Sequence, residues 1–236
     1  MKKVDILKDF FVLANRLSKP SGLRKIVNKV SVWFSLNMTI LIQALGLQKH
    51  KLRRDDELIL NVGSGDEFPD KCLNTDLFPS FGLLFKIITK KSKIKYDYFL
   101  NILYRDKNLV NKADGIIFSH VLEHISPHLA LNVLKNLFLF LKPGGKLRIS
   151  VPDLSLYEKD SIPNNQNLST PILAKNSLVY RWNHKFMYNK ELLTKLLDRA
   201  GFIKIEETSC GSGHMGNFDV QRRNGETLYI LCEKKK

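Results

Sequence analysis

The sequence predicts an α/β protein: a doubly wound, mostly parallel seven-stranded sheet preceded by a helical N-terminal extension. Three observations predict it. Seven short apolar runs follow one another from Leu58 onward, helical patterns fall between several of them, and two glycines, Gly63 and Gly65, come directly after the first run. The chain's 236 residues, 44% of them hydrophobic, suffice for one such domain and its core. The expected division is an extension over 1–54 and a domain over 55–236.

The seven runs are "LILNV" (58–62), "KCLNTDL" (71–77), "KIKYDYF" (93–99), "GIIFS" (115–119), "KLRISV" (146–151), "FIKIEE" (202–207) and "TLYILC" (227–232). Each has the short, nearly continuous apolarity of a strand buried on both faces. "SPHLALNVLKNLFLFL" reads as a helix with Ser126 as cap and Pro127 at its first position, ending before Pro143-Gly144-Gly145. "NKELLTKLLDRAG" has Asn189 as cap and Gly201 as terminator. The polar stretch from Ser155 to Ser177, with Pro163 and Pro171, is predicted to be a long loop or lid. Only nine residues separate Val62 from Cys72, fewer than the dozen or so of an ordinary parallel crossover, so the first helix must be very short or absent.

The N-terminal extension has a different character. Twelve basic residues oppose only Asp5 and Asp9 before residue 55, which accounts for +10 of the net charge of +15. A second basic run, "KIITKKSKIK", spans 86–95. Residues 4–17 place Val4, Leu7, Phe11 and Ala14 at helical spacing, predicting a basic amphipathic helix. "VSVWFSLNMTILIQALGLQ" (30–48) then runs without a charge. Three placements stay open for it: packed on the domain or a partner chain, lying in a membrane surface, or spanning the membrane. Its five polar residues and the lysines on both flanks give no clear orientation for a span. A secretory signal is disfavoured, because the apolar run starts far from Met1 and no cleavage site is apparent. Cys72, Cys210 and Cys232 are widely spaced and odd in number, which argues against a disulfide framework and for a reducing compartment.

"HVLEH" (120–124) has the H-x-x-E-H arrangement of one class of zinc peptidase. Such a site needs one continuous helix, so that residues four apart face a single ion. Here the motif follows a strand directly, and Pro127 sits between it and His128. The histidines are expected to belong to different elements and to bind no metal. Glu123 and His124 read as residues that brace the start of a helix. "LNVGSGDEF" points elsewhere: its glycines let the backbone turn tightly and approach a ligand, and Asp76, ending the second strand, offers a carboxylate to both hydroxyls of a ribose.

With these motifs in this order, "LNVGSG", "NTDL", "ADGIIFSHVLEH", "LKPGGKLRISVPD" and "HKFMYNKELLTKLLDRAGF", the chain from about Leu58 to Lys234 resembles the class I S-adenosylmethionine-dependent methyltransferases. It looks especially like a branch associated with surface polysaccharide biosynthesis. The resemblance implies a Rossmann-like fold in which Gly63 and Gly65 contact the methionine part of S-adenosylmethionine and Asp76 its ribose, with Asn61, Ser64 and Leu77 beside them. Asn101, or in its place Asp97, would read the adenine, and Ser119 and His120 would border the sulfonium. Two departures stand out. Asn61 replaces the acidic residue common before the glycines, and the third glycine of the family pattern is missing.

Methyl transfer from a sulfonium needs alignment of the reacting atoms, exclusion of water and, for a hydroxyl acceptor, a base within reach; no metal is required. His184, in "RWNHKFMY", is the preferred base, with a structural histidine as the equal alternative. Asp153, just past a strand's carboxyl end, is either a second catalytic group or a turn residue. The expected acceptor is a glycan, lipid-linked saccharide or small molecule, reached in the cytoplasm at the inner face of a membrane whose anionic surface residues 1–50 would contact. An RNA methyltransferase is the alternative the charge allows, although no aromatic-basic RNA motif accompanies it; a noncatalytic binding protein is the third.

Overall fold

The computed structural model describes residues 7, 11–14, 23–48, 57–89, 96–157, 170–180 and 182–236. Its centre is a seven-stranded sheet of β1 (Ile59–Val62), β2 (Cys72–Asp76), β3 (Tyr98–Phe99), β4 (Ala113–Ser119), β5 (Leu141–Pro152), β6 (Phe202–Thr208) and β7 (Thr227–Lys234). The spatial order is β3-β2-β1-β4-β5-β7-β6. β1 to β5 pair in parallel and β7 runs antiparallel between β5 and β6. The helices are α1 (Leu23–Ala44), α2 (Phe81–Ile88), α3 (Pro127–Phe140), α4 (Pro171–Tyr180) and α5 (Lys190–Ala200). The doubly wound α/β fold predicted from the strand runs is the fold observed.

Strand order explains where a site can form. The chain steps outward from β1 to β2 and β3, then returns to β4 on the other side of β1. This reversal opens a crevice at the carboxyl ends of β1 and β4, the usual ligand position in open α/β sheets. All four residues of β1 are buried. Leu60, Ile116, Phe118, Leu147 and Ile149 from the central strands pack with Leu134 and Leu137 of α3 and Leu193 and Leu197 of α5 in one core. α5 has the predicted ends: Asn189 Oδ1 accepts from Leu192 N at 3.0 Å, and Gly201 stops the helix in the left-handed conformation at φ +106°.

The first crossover contains no helix, as its length requires. The chain turns back at once, and the N–H groups of Gly63 and Ser64 both donate to the Thr75 carbonyl at 3.0 Å, fastening the turn to β2.

Several boundaries differ from the sequence reading. Ser126 precedes α3 but makes no side-chain cap; Pro127 does occupy the start. The predicted lid is helical over its last part, because Pro171 fixes the first turn of α4 and Leu173, Ala174, Ser177 and Leu178 recur at helical spacing and are buried. Residues 158–169 of that stretch lie outside the described residues. The third strand is only Tyr98–Phe99; Asp97 precedes it, and 93–95 lie outside the described residues. Of the predicted helix over 4–17, residues 7 and 11–14 are described, and they are helical.

α1 docks on the domain through its polar residues. Ser31 Oγ accepts from Phe81 N at 2.8 Å, Thr39 Oγ1 accepts from Phe78 N at 2.7 Å, and Ser35 Oγ donates to the Phe78 carbonyl. Gln43 Oε1 accepts from Asn101 N at 2.8 Å, and just past the helix Gln48 Nε2 donates to the Phe99 carbonyl, covering the open edge of β3. Ser31, Ser35 and Thr39 are buried, while Val27, Val30, Trp33 and Leu41 are exposed on the outer side. Among the described residues no helix is long and apolar enough to cross a membrane.

Candidate active site

The crevice at β1 and β4 is lined by the glycine loop. Gly63 and Gly65 adopt φ of +72° and +53°. A Cβ on Gly63 would lie 2.6 Å from Val121 Cγ2, so glycine is required there both for conformation and for space. Asp76 braces this loop from the end of β2: Oδ2 accepts from Gly65 N at 2.8 Å and Oδ1 from Leu77 N at 2.7 Å. Each carboxylate oxygen keeps lone-pair capacity for a further donor. Burial raises the Asp76 pKa above the usual carboxylate value, and the two backbone donors only partly offset this.

Asn61 and Ser64 are buried and hold the loop from beneath. Asn61 Nδ2 donates to the Glu67 carbonyl at 3.0 Å and to Asn74 Oδ1 at 2.9 Å, and Ser64 Oγ donates to the Asn61 carbonyl at 3.1 Å. Asparagine suits the place of the expected acidic residue because its neighbours there are acceptors. A cavity of about 210 Å³ opens over this loop, bordered also by Ser119, His120 and Arg222.

Asn101 lies away from this cavity. It is buried, its Oδ1 accepts from Leu103 N at 3.1 Å, and its N–H is taken by Gln43. Asp97, the competing residue, accepts from Asn74 N at 2.9 Å beside the middle of β2 and lines neither this cavity nor the one beside it.

Beside the first cavity lies a second of about 480 Å³, and the two share Asp66, His120, Arg222 and Arg223 as lining. Its other walls include Glu123, His124, Trp182 and His184. The "HVLEH" segment is not an α-helix: His120 has φ +54°, and only Leu122–His124 form a short 3-10 turn. His120 Nδ1 lies 3.2 Å from Glu123 Oε1 and its Nε2 lies 3.0 Å from Thr227 Oγ1. The Glu123 carbonyl accepts from Lys185 N at 2.7 Å and Phe186 N at 3.2 Å, which ties the segment carrying His184 against the turn. The rings of His124 and His184 meet edge to face with centroids 4.8 Å apart. Desolvation holds His184 below the usual histidine pKa, opposed in part by the Glu123 charge.

Asp153, the other residue predicted to do chemistry, sits in a turn. Its Oδ1 accepts from Ser155 N at 2.9 Å and Ser155 Oγ at 2.7 Å, and it lines neither cavity. The structure thus gathers the glycine loop, Ser119, His120 and His184 around two adjoining spaces, with Asp76 behind the loop.

Sequence reasoning missed Arg222 and Arg223. They follow a loop anchored from inside the domain, where buried Arg148 donates from Nε to Asp219 Oδ1 at 2.6 Å and from its NH1 nitrogen to the Ser212 carbonyl at 2.9 Å. Arg222 forms an ion pair with Glu67 across the first cavity. The adjacent pair in "VQRRNG" was the available signal. A larger cavity, about 790 Å³, lies near the start of β1 and β2, bordered by Glu57, Lys71 and His214, at the wrong end of the strands for the crevice.

Comparison with known proteins gives similar folds and one family match. A solved structure from Thermotoga maritima, a SAM-dependent methyltransferase and possible histamine N-methyltransferase, is similar over 89% of this chain and 97% of that one, at 17% identity and TM-score 0.50. The CurJ carbon methyltransferase matches at 16% identity and TM-score 0.46, over 84% of this chain and 54% of that one. The Haemonchus contortus phosphoethanolamine N-methyltransferase 2, solved in complex with S-adenosyl-L-methionine, matches at 12% identity and TM-score 0.46, over 85% and 53%. This chain spans about half the length of the latter two. No curated protein matches it. A family model described as a methyltransferase domain matches residues 48–207, which takes in the glycine loop, Asp76, the 120–124 turn and His184. On that match, over a sheet with its crevice at β1 and β4, the chain belongs to the methyltransferase domain family.

Proposed function

We propose that the protein transfers a methyl group from S-adenosylmethionine to a hydroxyl of a sugar, glycan or lipid-linked saccharide. The observation that carries this reading is the junction of the two cavities at His120: one lies over the glycine loop, and the other holds His184 and Glu123. The glycine loop of the first and the carboxylate that braces it from behind suit the cofactor. Asp76 has acceptor capacity left for ribose hydroxyls, and the bare backbone at Gly63 leaves room for close approach.

When bound, S-adenosylmethionine supplies a methyl already activated on its sulfonium. The chain's part is to hold the acceptor in line and keep water out. In the second cavity His184 would take the proton of the acceptor hydroxyl as that oxygen is methylated. Lining by Trp182, two arginines, Asp66 and Glu226 fits a polyhydroxyl acceptor better than an apolar one.

α1 supports a location at a membrane surface. Its polar stripe is used up on the domain, leaving an outward apolar face beside a strongly basic N-terminal sequence. That combination suits an interfacial position on an anionic membrane. Incubation with labelled cofactor and extracts separated into RNA, lipid and polysaccharide tests the acceptor class. Label in lipid or polysaccharide is expected; label in RNA alone overturns the assignment.

A further inference from the structure

The acceptor cavity contains a buried carboxylate without a hydrogen-bond partner. Glu123 is fully buried, at 0% exposure, yet neither carboxylate oxygen has a hydrogen-bond partner. The nearest basic atom is His120 Nδ1, 3.2 Å from Oε1 but outside hydrogen-bond geometry. The hydrogen-bond network fixes the His120 tautomer. Thr227 Oγ1 donates to the Arg223 carbonyl at 2.7 Å, so toward His120 Nε2 at 3.0 Å it must accept. A neutral His120 would carry its proton on Nε2 and turn its Nδ1 lone pair toward the carboxylate, whereas a protonated one would pair with it as a cation. His184 repeats the pattern: the Leu178 carbonyl accepts from its ring, and its Nδ1 is buried without a partner. One ligand-capable atom each from Glu123, His124 and His184 lie within 4.8 Å of one another.

A fully buried carboxylate facing the lone pairs of half-buried His184 and exposed His124 is unfavourable unless a cation lies between them. We infer that Glu123, His124 and His184 bind a divalent transition-metal ion, with one coordination position open to the 480 Å³ cavity. Two imidazoles and a carboxylate with an open position are a donor set used by catalytic zinc, and manganese, iron or cobalt can share it. The surroundings fit as well. Metal-binding histidines typically hand their second ring nitrogen to a protein oxygen, the arrangement found at His184. Ligands of a tetrahedral ion at about 2.1 Å stand roughly 3.4 Å apart, so the side chains have to draw in by about an ångström. The backbone bonds from Lys185 and Phe186 to Glu123 already hold the two segments together.

The sequence argument against an H-x-x-E-H site holds for His120 and His124 as a helical pair, since no α-helix carries them. His184, brought in from beyond α4, supplies the ligand that argument did not consider. What the ion does rests on the methyltransferase reading: it would hold the acceptor hydroxyl at its open position and acidify it, with His184 then a ligand and not the proton acceptor. Whether it binds does not rest on that reading.

The test uses tag-free, full-length protein stripped with a chelator and titrated with Co²⁺ and then Zn²⁺. Expected are visible ligand-field absorption at one Co²⁺ per chain, its bleaching by Zn²⁺, and a rise in melting temperature with Zn²⁺. His124→Ala and His184→Ala should each weaken Zn²⁺ at least tenfold by calorimetry; His184 is only half-buried, so its variant should fold even where Glu123→Gln does not. Absence of the cobalt spectrum, or unchanged Zn²⁺ affinity in both histidine variants, overturns the site. Calorimetry with S-adenosylmethionine on the same samples separates the two readings: cofactor binding without metal refutes the ion alone, and metal binding without cofactor refutes the methyltransferase assignment alone.

Discussion

Asp76→Ala separates a ligand-binding carboxylate from a structural one. Asp76 accepts from Gly65 N at 2.8 Å and Leu77 N at 2.7 Å. Gly65 is exposed and Leu77 partly so, so water can replace the carboxylate at both donors. The stability loss should be toward the low end for two hydrogen bonds to a charged group, about 1–2 kcal/mol. The cofactor would lose two charge-assisted bonds from its ribose hydroxyls and a fixed glycine loop, about 2–4 kcal/mol, or roughly 30- to 1000-fold in Kd. Calorimetry with S-adenosylmethionine measures the second quantity and urea denaturation the first. Unchanged affinity alongside lost stability would refute the ribose assignment. The pH dependence adds a sign test. Burial raises the folded-state pKa of Asp76 above its ordinary 3.8, so as pH falls through that raised value the proton binds more tightly in the fold than in the unfolded chain. The protonation of this group therefore favours folding while it removes the acceptor that the ribose needs. In wild type, cofactor affinity should weaken in this window; in Asp76→Ala that component should vanish.

Further predictions follow from other parts of the site. His184→Ala should lower turnover at least about 100-fold while cofactor affinity stays within about twofold, and equal turnover would remove His184 from the mechanism. In metal-free protein the His184 imidazole should titrate below the ordinary histidine value of 6.5, because burial lowers its pKa; an NMR titration with a midpoint above that value would contradict the environment described. Arg148→Ala leaves Asp219 buried and unpaired, at a cost of about 3–5 kcal/mol in denaturation experiments, and a loss under about 1 kcal/mol would show that the 209–219 loop is held by something else. Gly63→Ala should weaken cofactor binding and folding together, with partial rescue by Val121→Ala, since Val121 Cγ2 occupies the space that the added Cβ enters; a double-mutant cycle without coupling would locate the strain elsewhere.

The sheet was legible because buried parallel strands leave an unmistakable pattern of short apolar runs, and the glycine turn because nothing else permits that backbone. Asn189 and Gly201 likewise read correctly, since a cap and a terminator act within one turn of the chain. The acceptor side was not legible for the opposite reason. Glu123 meets His184 only because β4, β5 and the segment before α5 are laid side by side, and Arg222 reaches Glu67 only because Arg148 anchors the loop preceding it. Neither relation has a period or a spacing. Asp153 shows the converse: its position past a strand end suited a ligand, but Ser155 two residues on satisfies the carboxylate locally.

α1 shows how a correct composition can leave the orientation open. The polar residues of 30–48 read as interruptions in an apolar run, yet Ser31, Ser35, Thr39 and Gln43 recur every four residues and so form one stripe. In an ordinary amphipathic helix that stripe would face water. Here it faces the domain, because the backbone groups of Phe78 and Phe81 and the N–H of Asn101 lie outside any strand ladder and need partners that side chains must supply. Satisfying them turns Val27, Val30, Trp33 and Leu41 outward, where Phe85 and Ile88 of α2 extend the same exposed apolar surface. Scattered apolar residues on a surface need no explanation, but a helix whose polar face is consumed internally has no remaining way to solvate the other. The sequence of the first 54 residues is strongly basic, and the anionic bilayer proposed above would satisfy both that charge and the apolar face. Trp33→Glu should therefore abolish sedimentation with phosphatidylserine vesicles while leaving cofactor affinity unchanged; retained sedimentation would mean that the apolar face serves another purpose, such as pairing two copies of the chain.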